Sequence, residues 1–292
     1  MDFKKIISDN DLSDFPIGLG GCRVRETSFG SCDYDITVFD NSEKKDHVVD
    51  YGDDSIYIHH GKLDEKKSEI LIHYIGMEII QDESWDLRIF LSKIKEKQDK
   101  LFLDFAKNCL IDAIFCCQKT KDSILNSDNF APCWQKCATC LLSDAISTLN
   151  NIVPSSHMLN SLRNLKKSSI NENVSIINET TGVERATPSL LQRMLKSTQG
   201  FSDIVENNNY SKVIQKKYDY FLSNSMLSDC YFYLIYVNKK NFLKLRHSIH
   251  QNPDHIHILK VAFDIERDYN LLEQQAVQIQ NTCNHIIELL RK

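Results

Sequence analysis

The sequence predicts an α+β protein, in which a small mixed sheet with flanking helices is followed by an all-helical region. Three observations predict it. The first part of the chain alternates apolar and polar residues with the period that strands require. From Leu87 onward the apolar positions recur at helical steps. Gly and Pro are scarce, 9 and 5 among 292 residues, which favours long helices over a turn-rich β fold. The change of period lies near residues 85–100, and the domains are drawn as 1–95 and 96–292.

Each element follows from a local pattern. Phe3, Ile6, Ile7, Leu12 and Phe15 fall at roughly helical spacing, so residues 1–15 read as a short helix stopped by Pro16. Residues 17–21 are a brief apolar run into two glycines. In DYDITVFD, residues 33–40, Tyr34, Ile36 and Val38 alternate with Asp33, Asp35 and Thr37, the signature of a strand. Residues 47–51 and 55–60 flank Gly52-Asp53-Asp54 and read as a hairpin. Residues 69–80 are a further apolar run, either a strand or a short helix leading into one. Helices are expected at 133–150, 156–167, 187–199, 201–223 and 226–238, and a very long one at 254–290. Thr187-Pro188 is a helix start, an N-cap followed by proline. The polar segment 168–186 reads as a loop or a short extended piece.

Composition narrows the class. Apolar content of 42% and charged content of 26% are ordinary for a globular protein. A net charge of −5 does not suit a non-specific nucleic-acid binder, which is basic overall. No stretch reaches the length of apolar sequence that crosses a membrane, and the first residues lack an apolar signal core. A cytoplasmic location is expected. The ten cysteines then read mostly as thiols packed as small hydrophobes.

The stretch GLGGCRVRETSFGSCDYDITVFD, residues 18–40, carries the chemistry. Asp33 and Asp35 point the same way from one strand, because side chains alternate across it. Two adjacent carboxylates repel unless a cation stands between them, and Mg²⁺ prefers such oxygen ligands. Gly20 and Gly21 let backbone N–H groups approach phosphate with no Cβ in the way. Arg23 and Arg25 follow, and Ser28 and Ser31 add hydroxyls.

An apolar residue, Gly-Gly, a gap of eleven residues and Asp-x-Asp between apolar positions resembles the nucleotidyltransferase superfamily, which includes polymerase-β-like and CCA-adding enzymes. The resemblance covers residues 17–40 directly. It implies Mg²⁺-dependent transfer of a nucleoside monophosphate from a nucleoside triphosphate such as ATP to an acceptor hydroxyl on a small molecule, an RNA end or a protein. It implies metal ligation and catalysis by Asp33 and Asp35, and nucleotide binding by Gly20, Gly21, Arg23 and Ser31. Catalysts of this superfamily usually carry a third acid on a later neighbouring strand. Here Tyr57 and His59 stand where that acid is expected, with Asp50 and Glu78 as the alternatives. Replacement of the acid favours a second reading: a catalytically weak nucleotide-binding or interaction module, or an antitoxin-like partner.

Other constellations carry two readings each. Cys133, Cys137 and Cys140 share one helical face, either as core or, with Cys116, Cys117 or His157, as metal ligands. Arg246, His247, His250, His255 and His257 cluster about a turn, either as a helix-turn-helix corner or as a motif that resembles that of the helical HEPN ribonucleases, whose usual spacing differs. Arg163, Lys166, Lys167, Arg185, Arg193 and Lys196 are either a basic wall for nucleotide or a solvated face. The aromatic run from Tyr218 to Tyr236 reads as interhelical packing, with base stacking as the alternative.

Overall fold

The computed structural model describes residues 1–25, 28–166, 172–265 and 268–291. The fold is α+β, and the chain divides into two compact units, Met1–Phe102 and Leu103–Lys292. Among the described residues no helix is long and apolar enough to cross a membrane.

The first unit opens with α1 (Phe3–Asp9), whose N-terminus is capped by the Asp2 carboxylate accepting from Lys5 N–H. This helix is shorter than the apolar spacing predicts. The Asn10 side chain donates to Ile6 O and Asp11 takes a left-handed φ of 55°, so the helix stops well before Pro16. Five strands follow: β1 (Ile17–Gly20), β2 (Tyr34–Val38), β3 (His47–Tyr51), β4 (Asp54–His60) and β5 (Glu78–Gln81). Their order across the sheet is β3-β4-β2-β1-β5. Only the central β2–β4 pair is parallel; the other neighbours are antiparallel. Gly52, at φ +62°, makes the β3–β4 turn. The 69–80 run resolves into a short helix α2 (Ser68–Leu71), a 3₁₀ turn and then β5.

Register sorts the sheet into an apolar and a polar face. Ile17, Leu19, Ile36, Val38, Ile56 and Ile58 share one face and pack against Ile6, Ile7 and Leu12 from α1 and its exit. The opposite face carries Gly18, Gly20, Asp35, Thr37, Ser55, Tyr57 and His59. A second cluster joins Phe39 and Tyr74 to Leu87, Phe90 and Ile94 of α3 (Asp86–Glu96) and to Leu101.

The division between units falls within α4 (Gln98–Leu125). The second unit is helical: α5 (Ala131–Leu149), α6 (Met158–Arg163), α7 (Val174–Thr181), α8 (Pro188–Val205), α9 (Tyr210–Ser223), α10 (Leu227–Lys244), α11 (His255–Ala262) and α12 (Tyr269–Leu289). Three sequence expectations are corrected here. Within the supposed loop 168–186, α7 forms, buries Ile177, Thr180 and Thr181, and ends at Gly182 in the left-handed conformation; residues 168–171 lie outside the described residues. The break expected at Gly200 falls instead after Val205, where Asn207 and Asn209 adopt φ of 47° and 64°. The long helix expected at 254–290 is two helices; Asp264 turns left-handed and Asp268 caps the next one by accepting from Asn270 N–H and Leu271 N–H.

Candidate functional site

Gly21 follows β1 at φ +69° and ψ −156°, backbone that side chains other than hydrogen rarely adopt. Its missing Cβ has a second consequence: a methyl group there would overlap the Asp35 carboxylate. Gly18 likewise leaves room for the Met77 sulfur. Gly20 is less constrained, since a Cβ there would meet Met77 Cε only at van der Waals distance, 3.4 Å. The glycine run therefore ends with Asp35 lying directly on the backbone at Gly21; Asp33, expected on the strand, precedes β2 and is buried at 3% exposure.

The loop between Gly21 and Asp33 is closed from within. Arg23 Nε donates to Cys32 O at 2.8 Å, its Nη2 donates to Gly30 O at 3.2 Å, and its guanidinium stacks on Tyr34 with Asp54 3.6 Å away. Arg23 thus ties the two ends of the loop together. Arg25 lies beside Asp35 and Cys22; burial lowers its pKa, and their charges act the other way. The Ser31 hydroxyl is buried without a hydrogen-bond partner among the described residues, a polar group that a ligand oxygen would satisfy.

On the neighbouring strand β4, the site face presents Ser55, Tyr57 and His59 in place of a carboxylate. His59 Nε2 lies 3.4 Å from Asp35 Oδ1, and His59 Nδ1 lies 2.9 Å from Asp46 Oδ2. Burial pushes the His59 pKa down, but the hydrogen bonds and charges of Asp35 and Asp46 outweigh it, and the pKa stands at about 9. His59 is therefore an imidazolium at neutral pH, held between two carboxylates. Asp46 Oδ1 also accepts from His60 N–H, while Asp40 accepts from His60 Nδ1 at 2.9 Å on the other face. Asp46 was missed in the sequence because it precedes a strand and reaches the site through another side chain.

The two alternative third acids divide by register. Glu78 pairs with Leu19, which pairs with Ile36, so it belongs to the face opposite Asp35. Asp50 pairs with Ser55 on the Asp35 face, but on β3, two strands from β2. Among the described residues no third carboxylate, imidazole or thiolate joins Asp33 and Asp35 in a set with all donor atoms within 4.8 Å. Carboxylate oxygens are the donors that Mg²⁺ prefers.

The second unit absorbs most of its polar candidates into its own packing. No three of the α4–α5 thiols lie within 4.8 Å of one another, and burial raises the pKa of Cys116, Cys117, Cys133, Cys137 and Cys140, as in a packed core. Of the basic residues, Arg163 forms a two-pronged pair with Asp229 at 2.7 and 2.9 Å, and Arg185 pairs with Asp264. Arg193 and Lys196 are exposed, and Lys167 lies outside the described residues. His250 packs edge-on to Phe130 and His255 edge-on to Phe201. Phe221, Tyr231, Phe232, Tyr233 and Tyr236 are buried.

No protein-family model matches the chain, and no curated protein matches it. The functional reading therefore rests on the motif and its geometry.

Proposed function

We propose that the first unit is a nucleotidyltransferase-like domain that binds a nucleoside triphosphate with Mg²⁺ and transfers its nucleoside monophosphate to an acceptor hydroxyl. The observation that carries this reading is the seating of the Asp35 carboxylate on the Gly21 backbone, at the turn that ends β1. That contact sets one carboxylate of the proposed pair against a glycine turn, where backbone N–H groups approach phosphate with no Cβ in the way. Asp33 and Asp35 would hold the ion, which when bound would supply positive charge against the phosphates. Gly20 and Gly21 offer backbone to the phosphates, the Ser31 hydroxyl offers a hydrogen bond, and Arg25 supplies positive charge beside Asp35. Arg23 keeps the loop closed around them. In the reaction the acceptor oxygen bonds to the α-phosphorus as the bond to pyrophosphate breaks.

A second reading is favoured by one observation: β4 contributes the His59 imidazolium where a third carboxylate is expected. A resident cation against Asp35 leaves less negative charge for a second metal ion. On that reading the domain binds nucleotide with weak or no transfer and serves as a nucleotide-responsive interaction module or antitoxin-like partner. Incubation with α-labelled ATP, Mg²⁺ and panels of RNA ends, proteins and aminoglycoside-type alcohols separates the two. Label on an acceptor supports transfer. Mg·ATP binding with no label on any acceptor supports the binding module.

A further inference from the structure

We infer that Cys22 and Cys32 form a peroxide-responsive dithiol that closes into a disulfide across the loop between the glycine turn and the carboxylate strand. Both are thiols in this structure, and their Sγ atoms lie within 4.8 Å of each other. A disulfide has S–S near ~2.05 Å, so closure asks the two side chains to swing together by less than about 3 Å. The Arg23 side chain, next to Cys22 in the chain, already bridges to the Cys32 carbonyl, its Nε donating to Cys32 O. Phe29 N–H donates to Cys32 Sγ at 3.2 Å. The other eight cysteines sit on helices α4, α5, α10 and α12, and burial raises the pKa of seven of them. Protonated core thiols are poor nucleophiles.

The chemistry balances with a peroxide as oxidant. One thiolate attacks the peroxide; the O–O bond breaks, an S–O bond forms and water leaves. The second thiolate attacks that sulfenic sulfur; the S–S bond forms, the S–O bond breaks and a second water leaves. Two thiols lose two electrons and two protons, and hydrogen peroxide becomes two waters. Both residues are buried, at 5% and 3% exposure, so peroxide reaches them more slowly than an exposed thiol.

The test uses the full reduced chain and does not depend on the nucleotide reading. The protein is treated with hydrogen peroxide, alkylated, and digested with trypsin without reductant. Cleavage after Arg23 and Arg25 puts Cys22 and Cys32 on separate peptides. The expected product is those two peptides joined, lighter by two hydrogens than their sum and separated by dithiothreitol. Cys22→Ser and Cys32→Ser each abolish it, while Cys109→Ser leaves it intact. Far-ultraviolet circular dichroism of the reduced variants checks that they fold. Alkylated Cys22 and Cys32 at peroxide levels that oxidise other thiols would overturn the inference, as would links from either residue to a helical cysteine.

Discussion

The Asp35 carboxylate occupies the space that a Cβ on Gly21 would fill. One residue belongs to the turn after β1 and the other to the adjacent antiparallel strand, so the sheet register itself brings the carboxylate to the glycine. Gly21→Ala must therefore both strain a left-handed backbone position and displace Asp35. We predict a loss of about 2 kcal/mol of stability and of Mg·ATP binding. Gly76→Ala is the control: φ is +77° but a Cβ meets nothing within 4 Å, so it costs about 1 kcal/mol and leaves binding unchanged. Denaturant melts and calorimetry check both.

Gly200 lies inside α8 with open space where a Cβ would go. Gly200→Ala should stabilise the helical unit by up to about 1 kcal/mol, because alanine favours helix and restricts the unfolded chain. An unchanged or lowered midpoint in a denaturant melt would count against this account of the helix.

His59 ties stability to pH. Its pKa is 6.5 in the unfolded chain and about 9 when folded, so the native state holds a proton that the unfolded state releases between these values. The His59–Asp35–Asp46 interaction is fully present below pH 6.5 and is lost as pH rises through 9. The expected loss is roughly 2 kcal/mol, allowing for solvent screening at half-exposed Asp46. Asp46→Asn should move the His59 titration, followed by NMR, toward its ordinary value.

Lys136 has the opposite sign. Its ammonium is buried on α5 and donates to the Thr180 and Thr181 carbonyls at the end of α7. Burial dominates and brings the pKa down from 10.5 to about 8. Between these values the unfolded chain binds the proton that the native state lacks, so this residue makes the helical unit more stable as pH rises from 8 to 10.5. Lys136→Met should remove that rise and cost about 1–3 kcal/mol through the orphaned Thr181 carbonyl, since Thr180 O still accepts from Gln135 Nε2.

A buried ion pair fixes α5 against α10. Lys239 Nζ donates to Asp144 Oδ2 at 2.6 Å, and Tyr236 Oη donates to Asp144 Oδ1 at 2.9 Å. Asp144→Ala leaves the Lys239 charge uncompensated and should cost about 3–5 kcal/mol. The double variant Asp144→Leu/Lys239→Met should recover most of that, as chemical denaturation would measure.

The sheet was legible because alternation in DYDITVFD and in the hairpin fixes both strand position and face, and Asp35 is found on the polar face, while Asp33 lies just before β2. Helix ends were not. Gly200 reads as a breaker yet is tolerated in α8, while the break comes from asparagines whose side chains accommodate left-handed backbone. The α7 helix is polar and short, and its three buried side chains give too little periodicity to read. The Asp46–His59–Asp35 chain was out of reach for a different reason. It depends on a loop folding back over β4, which no local pattern encodes.

The most direct test of the central claim is calorimetric titration of ATP, with and without Mg²⁺, into the wild type and Asp33→Asn/Asp35→Asn. The account predicts that the wild type binds Mg·ATP and loses affinity at least tenfold without the metal. It predicts that the variant, folded by circular dichroism, keeps only the metal-independent part. Equal binding with and without Mg²⁺, or no binding by the wild type, would contradict it and leave Asp33 and Asp35 as structural carboxylates of the sheet.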